Sequence, residues 1–104
     1  MTQFEVFVNP IAAARRAYPF VVALQSDFAR HATDQLVAPL APKASIQDIA
    51  GRLTPTVAVN GEAHIVLVPR LAALRARDLT ERVGSIAAAR SELLAAIDYL
   101  FFGV

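Results

Sequence analysis

The chain reads Pro-Thr-Val-Ala-Val-Asn-Gly-Glu-Ala-His-Ile-Val-Leu-Val at residues 55–68. Two apolar runs, 55–59 and 62–68, flank the dipeptide Asn60-Gly61. Asn followed by Gly readily adopts the two positive φ angles of a tight, two-residue hairpin turn. The segment is therefore predicted to be an antiparallel β-hairpin.

Three further strands are predicted ahead of this hairpin. Apolar runs or polar–apolar alternation mark Gln3–Val8, Tyr18–Leu24 and Leu36–Leu40. In the first strand Phe4 and Val6 share one face. We expect Pro39 and Pro42 to end the third strand, because proline has no N–H for a ladder hydrogen bond.

Three connecting segments give weaker patterns. Residues 11–17 follow Asn9-Pro10 and are predicted to be a loop that carries Arg15 and Arg16. Residues 43–54 fit either a short helix or an irregular connection. The Arg- and Leu-rich segment 69–83 predicts one more strand and a turn.

The last part of the sequence has the spacing of a helix. Apolar residues recur every three or four positions at Ile86, Ala89, Leu93, Ile97 and Leu100. Ser85 is a candidate N-cap and Gly103 lies where a helix would stop. Strands followed by one helix predict an α+β fold with a mainly antiparallel sheet, in a single domain over residues 1–104.

The composition limits the classes of function. Ten basic and nine acidic side chains give a net charge of +1, so direct binding to nucleic acid is not expected. A hydrophobic share of 56% and a mean hydropathy of +0.46 exclude disorder. No apolar run reaches the ~18 residues of a membrane span, and no signal peptide is visible. We expect a cytoplasmic protein with no membrane partner.

Metal and cofactor chemistry find little support in the sequence. The absence of cysteine excludes disulfides and thiolate ligands. The two histidines, His31 and His64, lie in separate segments, so no metal site is predicted. No glycine lies in a phosphate-loop pattern, and we expect no cofactor.

The final residues are unusually aromatic. Tyr99, Phe101 and Phe102 fall within the last six positions, where chains normally fray and carry small or polar side chains. The rings either dock onto the sheet or form an exposed interaction site, and both can hold at once. Asp98 lies in the last predicted turn, where the helix dipole disfavours a carboxylate. Its position points to a partner's hydrogen-bond donor, although an ordinary solvated carboxylate is slightly favoured.

A second polar concentration lies at residues 25–31. Asp27, Arg30 and His31 there would supply a base, an anion clamp and an acid if the protein were an enzyme. The preferred interpretation is a strand end with solvated side chains, because no second polar cluster lies nearby in sequence. Catalysis is therefore not expected.

Several segments in order resemble the CcdB family of toxins. The resemblance is carried by 3–7 (Gln-Phe-Glu-Val-Phe), 18–27, 36–40, 53–57 with Gly61-Glu62, 83–85, and the closing Ala-Ala-Ile-Asp-Tyr-Leu-Phe-Phe-Gly-Val at 95–104. Together these segments span nearly the whole chain with similar spacing. No single motif is specific to the family, but the ordered set is difficult to produce by chance.

This resemblance implies a homodimer with an SH3-like barrel and a C-terminal helix. It also implies that the protein is the toxin of a type II toxin–antitoxin pair. Such a toxin has no catalytic activity of its own and acts by binding the A subunit of DNA gyrase. A CcdA-like antitoxin binds an overlapping surface and frees the enzyme.

The resemblance also places the two binding sites. The gyrase-binding residues would be Phe102, Gly103 and Val104, and the antitoxin-binding residues Phe28, Ala29, Asp98 and Phe101. Phe102 stands where the best-known member has Trp.

Two alternatives stay open. The first is an endoribonuclease like the MazF and Kid toxins, which share the fold. Its candidate residues would be Arg15, Arg16, Arg30 and His31. The second is a homologue that binds an antitoxin but has lost its toxicity.

Overall fold

The computed structural model describes residues 2–26, 33–46 and 51–103. Within these ranges the chain forms seven strands and one α-helix. The strands are β1 (Glu5–Val8), β2 (Phe20–Ala23), β3 (Asp34–Pro42), β4 (Thr56–Val59), β5 (Glu62–Val66), β6 (Ala72–Arg75) and β7 (Arg82–Ser85). The helix α1 (Arg90–Phe102) follows the last strand.

The predicted hairpin is confirmed as β4 and β5. Asn60 has a φ of 53° and Gly61 a φ of 78°, the two positive angles that the Asn-Gly pair predicts. The register places Val59 opposite Glu62 and continues to Thr56 opposite Ile65. The turn therefore determines which side chains of the hairpin face the core.

All strand pairs are antiparallel, and β3 lies at the centre of the sheet. The order is β4-β5-β3-β2-β1-β7, and β6 pairs with the first half of β3 beside β5. One edge of β3 thus carries β2, and the other carries β5 and β6 in succession. The sheet curls into a half-barrel, which confirms the predicted α+β class and the SH3-like barrel.

The prediction that Pro39 ends the third strand is wrong, because β3 continues to Pro42. The carbonyl of Pro39 accepts a 2.9 Å hydrogen bond from the N–H of Leu67, so the polar groups of Pro39 face the β5–β6 edge. A 3₁₀ turn at Val68–Arg70 separates β5 from β6, so neither strand pairs with β3 at Pro39. A missing N–H therefore costs little at this position.

The main core lies between the concave face of the sheet and α1. Its buried members are Phe4, Val6, Val22, Leu24, Ala38, Leu40, Val57, Val59, Val66, Val68, Ile86, Leu93 and Ala96. The predicted shared face of Phe4 and Val6 is confirmed. Leu93 and Ala96 are fully buried, and Ile97 and Leu100 pack beside them, as the helical spacing predicted.

The helix starts later than predicted. Ser85 ends β7, and its Oγ accepts a 3.1 Å hydrogen bond from the N–H of Ala87. A 3₁₀ turn at Ala87–Ala89 follows, and α1 begins only at Arg90. Ser85 therefore bonds to the residue two positions ahead of it and does not cap the α-helix. The predicted stop is confirmed, because Gly103 has a φ of 73° and its N–H donates to the carbonyl of Tyr99.

A buried carboxylate joins β1 to β7. Glu5 accepts hydrogen bonds from the backbone N–H of Thr2 and from Nε of Arg82. Burial raises the pKa of the Glu5 carboxyl, but the hydrogen bonds from Thr2 and Arg82 and the positive charge of Arg82 outweigh it. The pKa of Glu5 therefore lies below its ordinary value of 4.5.

The connections also have defined structure. The loop after β1 contains a 3₁₀ turn at Ala12–Ala14 and is held by Asn9, whose Nδ2 donates to the carbonyl of Tyr18. The segment after β3 starts with a 3₁₀ turn at Lys43–Ser45. Residues 69–83 contain β6 and the start of β7, which confirms the predicted strand and adds a second one.

Candidate functional site

The end of α1 carries the largest exposed apolar side chains of the described residues. Phe101 is 61% exposed and Phe102 75% exposed, while Tyr99 is 38% exposed. Tyr99 is thus more covered than either phenylalanine, whose rings project from the fold. The alternative in which the aromatic tail docks onto the sheet is therefore wrong for Phe101 and Phe102.

Helical geometry explains why Phe102 faces outward. Leu93, Ala96 and Leu100 lie on the side of α1 that packs on the sheet. Phe102 is nine residues beyond Leu93, about 180° around the helix, and so faces away from the sheet. Phe101 follows the partly buried Ile97 by one turn and is exposed at the end of the helix. Asp98 is exposed and precedes Phe101 by three positions, so the two lie next to each other on the helix surface.

The site thus combines two exposed rings with a carboxylate. The carboxylate of Asp98 makes no ion pair or hydrogen bond with another described residue. The C-terminal end of α1 offers this carboxylate no favourable interaction with the helix dipole. The arrangement is suited to a protein partner that covers the rings and brings a donor to Asp98.

Arg52 is part of this region although its sequence context carries no sign of it. Its guanidinium carbon lies 4.4 Å from the ring centroid of Tyr99. A cation over an aromatic face at this distance is attracted by the ring quadrupole. The contact joins the turn at residues 51–54 to the last turns of α1. Only the fold brings the two residues together, and a lone arginine in a turn carries no distinguishing pattern.

Gly103 gives the tail its direction. Its left-handed backbone turns the chain away from the helix axis directly after Phe102. Among the remaining predicted contact residues, Val104 of the gyrase site and Phe28 and Ala29 of the antitoxin site lie outside the described residues.

Of the four nuclease candidates, only Arg15 and Arg16 lie within the described residues. Arg15 donates from Nε to the carbonyl of Asn9 at 2.6 Å, which ties it to its own loop. Arg16 is exposed, while Arg30 and His31, like Asp27, lie outside the described residues. His64 is buried and its Nδ1 lies 2.9 Å from the carbonyl of Glu62.

The structure also bears on metal binding and on membrane spans. In ranges 2–26, 33–46 and 51–103, no three His, Cys, Asp or Glu side chains are grouped to hold a metal ion. Across the same ranges, no helix has both the length and the apolar character that crossing a membrane requires.

A comparison with protein families decides the family. The model described as CcdB protein matches residues 3–103, which is nearly the whole chain. The chain belongs to the CcdB family. It is thus related to the toxins of toxin–antitoxin pairs, and the resemblance seen in the sequence is confirmed. A search of curated proteins finds no match to the chain. For a CcdB protein, the half-barrel with its terminal helix is the expected architecture, and the exposed end of α1 is the natural candidate for its contact surface.

Proposed function

We propose that this CcdB-family toxin binds the GyrA chain of DNA gyrase through the end of α1 and inhibits the enzyme. The proposed contact residues are Phe102, Gly103 and Val104. The observation that carries the proposal is the exposure of Phe102, a large ring at the tip of a helix that the core holds in place. The mechanism is binding, with no catalytic step by the toxin.

The energetics suit such an anchor. Fully burying a phenylalanine side chain contributes about 1.5–3 kcal/mol, and aromatic residues in the centre of an interface often dominate its affinity. Phe102 can contribute this energy because it is still exposed in the free chain. The rigid helix beneath it lowers the entropy that binding must overcome.

The antitoxin is proposed to cover the adjacent surface. Asp98 and Phe101 lie beside Phe102 on the helix, and Phe28 and Ala29 complete the proposed antitoxin contact. A partner that buries Phe101 and pairs with Asp98 would block access to Phe102. Gyrase and a CcdA-like antitoxin would then exclude each other sterically.

The functional unit is proposed to be a C2 homodimer. The core is small, and exposed apolar side chains such as Leu36 on β3 remain for a self-complementary contact. Light scattering at micromolar concentration is expected to give the mass of a dimer. A monomer throughout that range would contradict the dimer.

The function is tested with purified cognate gyrase. The toxin is expected to inhibit supercoiling and to raise the amount of cleaved DNA–gyrase complex, whereas RNA incubated with it should stay intact. RNA cleavage with no effect on gyrase would instead support the nuclease alternative.

One observation favours a second candidate, the non-toxic homologue. Phe102 replaces the Trp of the best-known member and lacks its N–H donor and larger ring. Antitoxin binding without any effect on gyrase would establish that candidate.

A further inference from the structure

A groove of about 590 Å³ runs between β4 and the start of α1. Thr56 and Ala58 of β4 line one wall, and Ala88, Glu92 and Ala95 line the other. The lining also includes Val57 and Ile86, two buried residues of the main core. The small alanine side chains on both walls leave this space open.

The β4 wall offers unpaired backbone groups. The carbonyl of Pro55 accepts a 2.9 Å hydrogen bond from β5, so Pro55 points toward that strand. Hydrogen-bonded and non-hydrogen-bonded pairs alternate along an antiparallel ladder, so the backbone N–H and C=O groups of Val57 also point toward β5. The N–H and C=O groups of Thr56 and Ala58 therefore point the other way, toward the groove.

The groove lies at a seam where the half-barrel does not close. β4 and β7 are the two ends of the sheet order, and no pairing between described residues joins them. Ala58 and Ser85, one from each strand, line both this groove and a smaller cavity of about 60 Å³ beside it. An exposed edge strand with free backbone groups is a template for an added strand.

Charged groups indicate how an added strand would be recognised. Arg52 lines the groove toward the end of α1 where its guanidinium stacks on Tyr99. Stacking uses the face of the guanidinium and leaves its N–H edge available to a carboxylate. Glu92 lies on the helix wall and makes no ion pair with a described residue. The groove therefore suits an extended segment with an acidic side chain near Arg52 and a basic or neutral one near Glu92.

We propose that an extended segment of the antitoxin binds in this groove as an additional strand on β4, with an acidic side chain paired to Arg52. The proposal rests on the proposed antitoxin binding and adds a second contact to the one at Asp98 and Phe101. The Arg52–Tyr99 contact links the two, because Arg52 lies at the groove and Tyr99 is on the last turns of α1.

Amide hydrogen exchange tests the strand addition directly. The toxin is studied alone and in complex with a CcdA-like antitoxin, after co-expression and purification. Exchange at Thr56 and Ala58 is expected to slow at least tenfold in the complex. Val57 and Val59 are the internal controls, because the ladder to β5 already protects them. Unchanged exchange at Thr56 and Ala58 in the complex would overturn the proposal.

Substitution of Ala58 gives a second, independent test. Ala58→Pro removes an N–H that β5 does not use, and proline is tolerated at the outer side of edge strands. We expect antitoxin affinity to fall at least tenfold, while Ala58→Thr, which keeps the N–H, retains it. Equal affinity for the two variants contradicts strand addition. If Ala58→Pro does not fold, Ala95→Trp replaces it as the test, because the larger side chain fills the groove from the helix side. We expect Ala95→Trp to cause the same loss of antitoxin affinity. Unchanged antitoxin affinity of Ala95→Trp contradicts the proposal.

Gyrase inhibition separates this proposal from the proposed function. Ala58→Pro is expected to inhibit gyrase as the parent chain does, because the groove lies apart from Phe102. If the parent chain leaves gyrase active but its Thr56 and Ala58 amides are protected in the antitoxin complex, gyrase binding is contradicted and strand addition is supported. A chain that forms no complex with the antitoxin contradicts both antitoxin contacts.

Discussion

The two sides of α1 differ in how far their side chains are exposed to solvent. On the inner side Leu93 and Ala96 are fully buried in the main core, whereas on the outer side Phe101 and Phe102 are 61% and 75% exposed. The inner side contributes stability through burial and close packing. The outer side leaves large apolar surface in water, which costs free energy until a partner covers it. One helix thus serves as a structural element and carries the proposed contact surface.

Deleting residues 102–104 tests this separation most strongly. Because the deletion removes contact surface beyond the core-facing positions, gyrase inhibition is expected to fall by more than about 100-fold. The melting temperature should change little. The measurements are supercoiling titrations against cognate gyrase and thermal unfolding of the same samples. An unfolded product would show that the tail supports the fold, and the separation of the two sides would be wrong.

Leu93→Ala should have the opposite effect. Truncating a fully buried leucine removes apolar burial and leaves a cavity, which costs about 2–5 kcal/mol of unfolding free energy. Chemical denaturation measures this loss, and Asp98→Ala on the outer side is the matched control with little expected change. Inhibition by the folded fraction of Leu93→Ala should stay intact. If stability is unaffected, Leu93 does not pack in the core as described.

Phe102→Trp refines the description of the outer side. Trp adds area, an N–H donor and a better ring face for a guanidinium, for a gain of about 1–2 kcal/mol, or roughly tenfold in affinity. We expect stronger gyrase inhibition at an unchanged melting temperature, because the ring at position 102 is exposed. Weaker or equal inhibition would show that position 102 is not the anchor. A large shift in melting temperature would show that the ring is buried in solution.

A smaller effect is expected for the carboxylate that joins β1 to β7. The pKa of Glu5 is lowered in the folded chain, so its contribution to stability is present above the ordinary value of 4.5 and is lost as the pH falls through the lowered value. Glu5→Gln should cost on the order of 1 kcal/mol at pH 7 and less in acid. Gyrase inhibition at neutral pH should not change, because Glu5 belongs to the scaffold.

Denaturant unfolding between pH 3 and pH 7 measures this dependence. Glu81→Gln, at an exposed position close to β7 in sequence, is the control and should keep the acid dependence of the parent chain. If Glu5→Gln and the parent chain lose stability in parallel as the pH falls, the hydrogen bonds to Thr2 and Arg82 do not set the pKa of Glu5.

The local elements and the aromatic tail could be read from the sequence because each depends on short-range chemistry. Asn60-Gly61 determines its hairpin through backbone angles, and the helical spacing around Leu93 determines the side of α1 that is buried. The end of α1 at Gly103 follows from the conformational freedom of glycine. The family was also evident, since its motifs lie in order along the chain.

Tertiary structure alone decided the rest. Pro39 remains inside a strand because its missing N–H faces the interruption between β5 and β6. The helix α1 starts at Arg90 because a 3₁₀ turn occupies residues 87–89. Arg52 reaches Tyr99 only because the turn at 51–54 is folded against the helix. The open seam beside β4 has no sequence signal, since it depends on how far the sheet curls. The sequence by itself thus determined the turns and the helix, which depend on residues close together in the chain. Contacts between residues far apart in the chain depend on how all the strands twist and pack together.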